Sequence, residues 1–404
     1  MSEGPVGLAE IARVFLKIGA MSYGGPAITG IIQTEIQEKR RWISKQQFVD
    51  GLALINMLPG PLVTQLAIFI GHAKGGLAGG ILAGLCFILP PFLVMLVLAA
   101  AYDAFGTLPS MRGAFYGIGP VVLGIFAAAV YRLGRATVVD RPQIAILVGA
   151  AALTFFTPLG LVMTLAAAGC VGIALFHSRR TGLIALAVLV AARGAYALGD
   201  LLFATSAMSP TPLAAHSIPA VPGFWELGAF FFTVGAFIFG GGLSMVAFIQ
   251  DQVVSHLGWL TPQEFVDGLA IGQVTPGPIP MVAAFVGFKL AGVAGAVVAV
   301  SAIYLPSFLM MLSILPLLRR LGDLQWLKAL MRGVGPAVIG ALAVSLAQMA
   351  PHAAPDVVTR LMFVLTIAII VLRAVGPLPL IIGGGAIGLL RKGTAWERLG
   401  ILVR

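Results

Sequence analysis

The sequence predicts an all-α polytopic membrane protein of two homologous halves, arranged as an inverted-topology repeat with re-entrant or broken helices. Three observations lead there. Apolar residues make up 59% of the chain and charged residues 10%, against roughly 25% charged in soluble domains, so the polar surface that water requires is missing. The string Phe48-Val49-Asp50-Gly51-Leu52-Ala53 returns as Phe265-Val266-Asp267-Gly268-Leu269-Ala270, and each copy leads into Pro-Gly-Pro, at Pro59-Gly60-Pro61 and Pro276-Gly277-Pro278. Loops at equivalent places in the two copies carry opposite charge bias.

Each long apolar run justifies one crossing. Residues 77–102, 112–131, 181–206, 291–318 and 329–350 are each close to the ~20 residues that span a hydrocarbon core as helix. The repeat extends well past the hexapeptide. Glu10 and Glu226, Gly24-Gly25 and Gly240-Gly241, and Glu35 and Asp251 all stand 216 residues apart. One inserted residue makes the separation 217 for Trp42 and Trp259 and for Pro59 and Pro276, and Pro90 and Pro306 return to 216. These matches divide the chain into a first copy at 1–178, a connecting helix and Pro-rich linker at 179–223, and a second, inverted copy at 224–404. Met1–Pro5 has neither a basic n-region nor a cleavage site, so no removable signal peptide is expected.

Lys39, Arg40, Arg41 and Lys45 follow the first glycine motif, whereas the equivalent stretch between Asp251 and Glu264 has no Lys or Arg. By the positive-inside rule the first loop faces the cytoplasm and the second the exterior. The next pair reverses, with no basic residue in 103–111 against Arg319, Arg320, Lys328 and Arg332. A third pair reverses again, with Arg132, Arg135 and Arg141 against a 351–359 loop that has no Lys or Arg. Two parallel copies do not give three alternations in antiphase, so segment 181–206 is expected to supply the crossing that inverts the second copy. The tail with Arg391, Lys392, Arg398 and Arg404 departs from the pattern if the last two helices both cross.

The net charge of +10 is spread in short clusters between apolar runs rather than on one basic face, which speaks against nucleic acid and for a bilayer as partner. Cys86 and Cys170 lie in apolar segments without metal-ligand spacing, and the five histidines are scattered, so neither a metal nor another cofactor is expected. An intramembrane hydrolase needs a nucleophile and base within reach of each other, and no Ser/His pairing recurs at a repeat position.

If each copy begins and returns on one side, segments 8–34 and 225–250 are re-entrant. Their glycine clusters, Ser22-Tyr23-Gly24-Gly25-Pro26 and Phe239-Gly240-Gly241-Gly242, are where helix should open. Pro-Gly-Pro interrupts 49–72 and 266–290 in the same way. Unwound backbone is tolerated at membrane depth only where protein or a water-filled cavity satisfies it, so four related breaks define a polar centre. The start of a half-helix aims free N–H groups and partial positive charge at such a centre, which suits an anion. Candidate binding residues near the breaks are Ser22, Tyr23, Asn56, Thr64, Gln65, Ser244, Gln273 and Thr275, with Lys17 and Lys289 as the basic residues inside repeated apolar segments. The plain alternatives are lysines that snorkel to headgroups and glycines that serve close helix packing. Among carboxylates kept in both copies, Asp50 and Asp267 lead into the Pro-Gly-Pro segments and are either proton carriers or helix N-terminal caps.

Taken in order, the Gly-Gly-Pro motif, Trp42 before Phe48-Val49-Asp50, the stretch Leu58-Pro59-Gly60-Pro61-Leu62-Val63-Thr64-Gln65 and the apolar helix ending at Pro90 resemble the chromate ion transporter family in its long, two-domain form. The second copy fits through Phe239-Gly240-Gly241-Gly242, Gly258-Trp259-Leu260 and Thr275-Pro276-Gly277-Pro278. The resemblance implies a multi-pass carrier of the bacterial inner membrane that exports chromate on the proton gradient, with sulfate as a related substrate and a second copy of the chain as a candidate partner. A passive anion channel, or a carrier of molybdate or an organic acid, is the alternative. Two features depart from the family pattern: Ala27-Ile28 and Leu243-Ser244 stand where a His is frequent, and Tyr23 stands where Phe is usual.

Overall fold

Helix covers almost all of the described residues in a computed structural model that describes residues 6–22, 26–56, 58–106, 108–157, 159–206, 222–238, 242–314, 325–373 and 375–393. The first copy holds α1 (Leu8–Met21), α2 (Pro26–Ile32) with a π-helical continuation Gln33–Lys39, α3 (Lys45–Ile55) and α4 (Leu62–Phe105). It ends in α5 (Pro109–Thr137), α6 (Arg141–Phe156) and α7 (Gly160–Phe176), and α8 (Arg179–Ser206) follows. The second copy repeats the series as α9 (Phe224–Ala236), α10 (Ser244–Ile249) with a π-helical Gln250–His256, α11 (Pro262–Val274) and α12 (Val282–Ile314). After these come α13 (Gln325–Ala353), α14 (Val357–Arg373) and α15 (Pro377–Gly393). A π-helical stretch is rare, so its return at the equivalent place is a fingerprint of the duplication.

Both copies open with helical hairpins rather than crossings. Arg40 Nη1 reaches Glu10 Oε1 at 2.9 Å and Lys17 Nζ lies 4.0 Å from Glu35, so the chain that leaves along α1 comes back beside its own start. In the second copy the Trp259 and Phe230 rings meet edge to face at 5.6 Å and close the same turn. Capping boxes then restart the chain. Ser44 and Gln47 exchange bonds at 3.0 and 3.1 Å at the head of α3, and Thr261 and Glu264 exchange bonds at 3.0 and 3.2 Å at the head of α11.

The 44-residue α4 is not one rod. Gly75 and Gly76 leave helical geometry, Gly76 with φ of 62°, and the two arms fold back on each other. A Cβ on Gly71 would overlap the Gly79 carbonyl, although in a straight helix these residues stand ~12 Å apart. α12 folds back likewise at Ala291 and Gly292, with Gly287 against Gly295. Only small residues on the seam allow backbones this close. The second arms of α4 and α12 then cross. A Cβ on Gly80 would sit 3.2 Å from Leu312 Cδ2, and one on Gly84 would sit 2.5 Å from Phe308 Cζ, so equivalent helices of the two copies run antiparallel. Leu62–Phe105, Pro109–Thr137, Ile279–Ser313 and Gln325–Ala353 are long and apolar enough to cross a membrane.

The chain divides into two compact units. One comprises Met1–Arg132, Pro222–Gly322 and Ser345–Arg404. Within it α5 meets α15 where Gly117 lies against Gly384 and Gly388. The other comprises Leu133–Val221 and Asp323–Val344, where α7 meets α13 through Gly172 and Gly333. Inside that second unit Arg332 Nη2 bonds Asp140 at 2.5 Å and its guanidinium lies 4.0 Å over the Phe176 ring. Each unit thus holds one version of the same contact, in which the last helix of one copy packs on the first long helix after the hairpins of the other.

Candidate functional site

A hairpin tip ends one helix and begins another, so its backbone groups need partners from elsewhere. At the two Pro-Gly-Pro tips, Gly60 and Gly277 take φ of 128° and 114°, a region that L side chains rarely adopt. Each tip is tied to the break in the first hairpin of the other copy. The Gly60 N–H donates to the Ile238 carbonyl at 2.7 Å, and the Gly277 N–H donates to the Ser22 carbonyl at 2.5 Å. The four breaks expected from the sequence are therefore joined in two pairs, each made through the described residues that flank the glycine clusters, within one unit. Tyr23, Gly24, Gly25, Gly240 and Gly241 lie outside the described residues, as does the side chain of Pro26, whose backbone begins α2.

The two tips differ chemically. Around Gly60 the surroundings are polar, and a Cβ there would collide with Gln65 Nε2 and Ser307 Oγ. Gln65 is fully buried against the Gly60 tip and donates Nε2 to the Pro59 carbonyl at 2.6 Å, closing the loop that Pro61 ends. Its Oε1 and the hydroxyls of Thr64, Ser307 and Tyr304 are buried with no hydrogen-bond partner among the described residues. An unpaired buried polar group costs about 1–3 kcal/mol, so an occupant that bonds these atoms is stabilised. Around Gly277 the wall is apolar: a Cβ would sit 2.5 Å from Pro91 Cβ, and Pro276 and Pro278 are buried. Thr275 Oγ1 donates back to Ile271 at 2.8 Å, Gln273 is half-buried, Ser244 is buried, and Gly242, with φ of 101°, faces Pro280. Ser22 is fully buried and its hydroxyl donates to the Ile18 carbonyl at 2.5 Å. Asn56 is exposed and donates Nδ2 to its own helix at Leu52, 2.8 Å away.

The charged candidates go elsewhere. Lys17 is on the surface with 57% of its side chain exposed, beside Glu35. Lys289 enters a separate cavity of about 630 Å³, pairing with Asp103 at 3.0 Å and Glu264 at 3.4 Å. Its ammonium also lies 5.9 Å from the centre of the Tyr102 ring. Asp267 lines the same cavity, 6% exposed, accepting from Tyr102 Oη at 2.8 Å and Gln263 Nε2 at 2.9 Å. Asp50, its repeat partner, is exposed and accepts from Gln46 at 2.8 Å. Neither is a cap, because Ser44 and Thr261 fill that role. The symmetry in sequence does not survive as symmetry in burial.

Sequence reasoning missed Tyr102, Ser307 and Tyr304. Tyr102 lies 165 residues from Asp267, and nothing local marks it. Ser307 had a signal, a hydroxyl next to Pro306 in a repeated Pro position, which an inspection of residues unique to one copy would have found. Among the described residues no three His, Cys, Asp or Glu side chains stand together to hold a metal.

The family model described as Chromate transporter matches residues 9–173 and again residues 225–389. The chain is 34% identical over 386 residues to the chromate transport protein of Cupriavidus metallidurans, covering 94% of this chain and 92% of that one. It is 33% identical over 346 residues to a probable chromate transport protein of Synechococcus elongatus, covering 83% of each. A chromate transport protein of Pseudomonas aeruginosa is 30% identical over 363 residues, 87% of this chain and 84% of that one. No solved structure matches. With the family signature present twice, once over each copy of the hairpin pair, and with likeness over almost the whole length, the chain belongs to the chromate transporter family, and is a multi-pass membrane transport protein rather than an enzyme.

Proposed function

We propose that the chain exports a tetrahedral oxyanion, chromate first and sulfate as a related substrate, across the inner membrane at the expense of the proton gradient. The observation that carries this reading is the Gly60 tip, where the Thr64 and Ser307 hydroxyls are buried without a partner among the described residues at the start of a half-helix. Leu62 opens the first arm of α4 just after Pro61, so unpaired N–H groups and a partial positive charge face the breaks. A dianion with four acceptor oxygens matches the hydroxyl and backbone donors without a fixed cation. Gly24, Gly25, Gly240 and Gly241 are assigned the remaining backbone donors, and the Pro-Gly-Pro tips frame the opposite wall.

Alternating access follows from how the tips are held. Gly60 to Ile238 and Gly277 to Ser22 are two equivalent bonds between copies, and the antiparallel second arms of α4 and α12 support an inverted arrangement. Rocking one copy against the other opens one of these bonds while the other stays closed, exposing the site to one face at a time. The loops 103–111, 251–264 and 351–359, assigned to the exterior by charge, all contribute to the cavity around Asp267, which supports their sharing a face.

Labelled chromate uptake into everted membrane vesicles, with and without an imposed ΔpH and with sulfate as competitor, tests the reading. Ser307→Ala combined with Thr64→Val should raise the chromate KM about tenfold, the equivalent of ~1.4 kcal/mol. An unchanged KM removes the Gly60 tip as the anion site. Flux indifferent to ΔpH at a fixed anion gradient identifies a passive channel instead.

A further inference from the structure

The polar cavity beside α11 is occupied by charge that only one copy of the repeat possesses. Asp267 is matched by Asp50, its donor Gln263 by Gln46 and Arg112 by Lys328, yet other groups around it are not matched. Lys289 corresponds to Ala73, Glu264 to Gln47, Tyr102 to Leu318 and His352 to Ala136. A duplicated chain that keeps its hairpins, caps and breaks in both copies but places these residues in one has specialised that end.

The titratable groups that line the cavity with Asp267 come from five helices. α4 supplies Tyr102 and Asp103, α5 supplies Arg112 and Tyr116, α11 supplies Glu264, α12 supplies Lys289 and α13 supplies His352. Lys289 is neutralised by Asp103 and Glu264, which leaves Asp267 with two neutral donors, Tyr102 and Gln263. The Tyr102 ring is itself wedged edge-on between Phe115 and Phe285, each 5.3 Å away. A buried carboxyl held by neutral donors and opening into a polar cavity is able to gain and lose a proton without breaking an ion pair.

We propose that this cavity is the proton port of the carrier: Asp267, and not Asp50, takes up and releases the coupled proton there, with Tyr102 as its positioning residue. The proposal rests on the transport reading above and adds its asymmetry. The proton arrives from the face that carries Thr261 and reaches a carboxylate oxygen of Asp267. No other bond changes. Asp267 is ten residues from Gly277 and Tyr102 eleven from Pro91, so the proton site lies ~15 Å along α11 and α4 from the Gly277 tip and is linked to the hairpin tips through these helices rather than by contact.

Purified protein in liposomes gives the test through the ratio of ΔpH-driven to basal chromate flux. Asp267→Asn should bring that ratio to about one, Asp50→Asn should leave it at the wild-type value, and Tyr102→Phe should move the midpoint of the pH profile by about one unit. A second measurement does not depend on the variants folding. A membrane-impermeant carbodiimide should modify Asp267 in the wild-type protein, read by peptide mass spectrometry, from the face that also labels Thr261→Cys and not from the other. A wild-type ratio in Asp267→Asn, an equal loss in Asp50→Asn, or absence of the adduct at every pH overturns the port. Chromate flux that ignores ΔpH in the wild type overturns the port while transport stands, and no chromate flux in the wild type overturns both.

Discussion

Asp356 shows how single side chains hold the chain together at a loop. Tyr116 Oη and Arg391 donate to its carboxylate, and the Thr359 N–H donates at 3.0 Å. Partial burial alone would raise its pKa, but the Tyr116, Thr359 and Arg391 donors outweigh burial and hold it at about 2, below the ordinary 3.8. A depressed carboxyl contributes stability that is complete above its unfolded value and is lost as pH falls through the folded one. The pair is over one-third exposed, so screening limits the contribution to ~0.5–1 kcal/mol. Asp356→Asn should therefore lower the melting temperature in detergent by a constant amount from pH 8 to about 5, with the difference vanishing between about 4 and 2. At this scale the sequence was readable only in part. The repeated aspartates stood out by their motif, but that one is exposed and the other bonded to Tyr102 depends on a contact 165 residues long.

Hairpins are the element that gives this fold its breaks. The sequence expected interruption at Ser22–Pro26 and at Pro-Gly-Pro, because glycine and proline there carry the signal locally. It separated 77–102 from 49–72 and 291–318 from 266–290, but it did not read that each second segment folds back on the arm before it. Gly71 against Gly79 and Gly287 against Gly295 decide it, and a spacing of eight residues does not mark a fold-back because it also falls on one face of an unbroken helix. Valine at Gly71 or Gly287 would place side-chain atoms in backbone of the opposing arm, which cannot yield as a flexible side chain can. Each substitution is expected to destabilise by at least ~2 kcal/mol, measured by thermal unfolding with a thiol-reactive dye that reports on buried Cys86. Valine at Gly149, which has open space around it, should leave the transition in place. The capping boxes at Ser44 and Thr261, where the sequence offers Asp50 and Asp267 as caps, start both Pro-Gly-Pro hairpins in the same register.

For the whole molecule the issue is how two copies of one hairpin pair face a bilayer. Charge alternation between equivalent loops assigns Ser44 to the cytoplasmic face and Thr261 to the exterior. Antiparallel second arms are what such an arrangement requires, because an axis in the membrane plane reverses every helix it relates. Ser44→Cys and Thr261→Cys, each in a background without Cys86 and Cys170, should react with an impermeant maleimide from opposite faces of intact and everted vesicles. Labelling of both from a single face would mean that the copies are parallel.

Duplication, membrane class and the four breaks were determined by the sequence alone, because repeats, hydropathy and Gly/Pro chemistry are local quantities that survive without coordinates. Only the tertiary structure decided that the two Pro-Gly-Pro tips differ, one polar through Gln65 and Ser307 and one apolar through Pro91, and that Asp267 lies in a charged cavity while Asp50 meets the surface. The reason is that burial and bonding of a side chain depend on what the rest of the fold brings to it, and the two aspartates, alike in their own motif, face unlike neighbours from both copies.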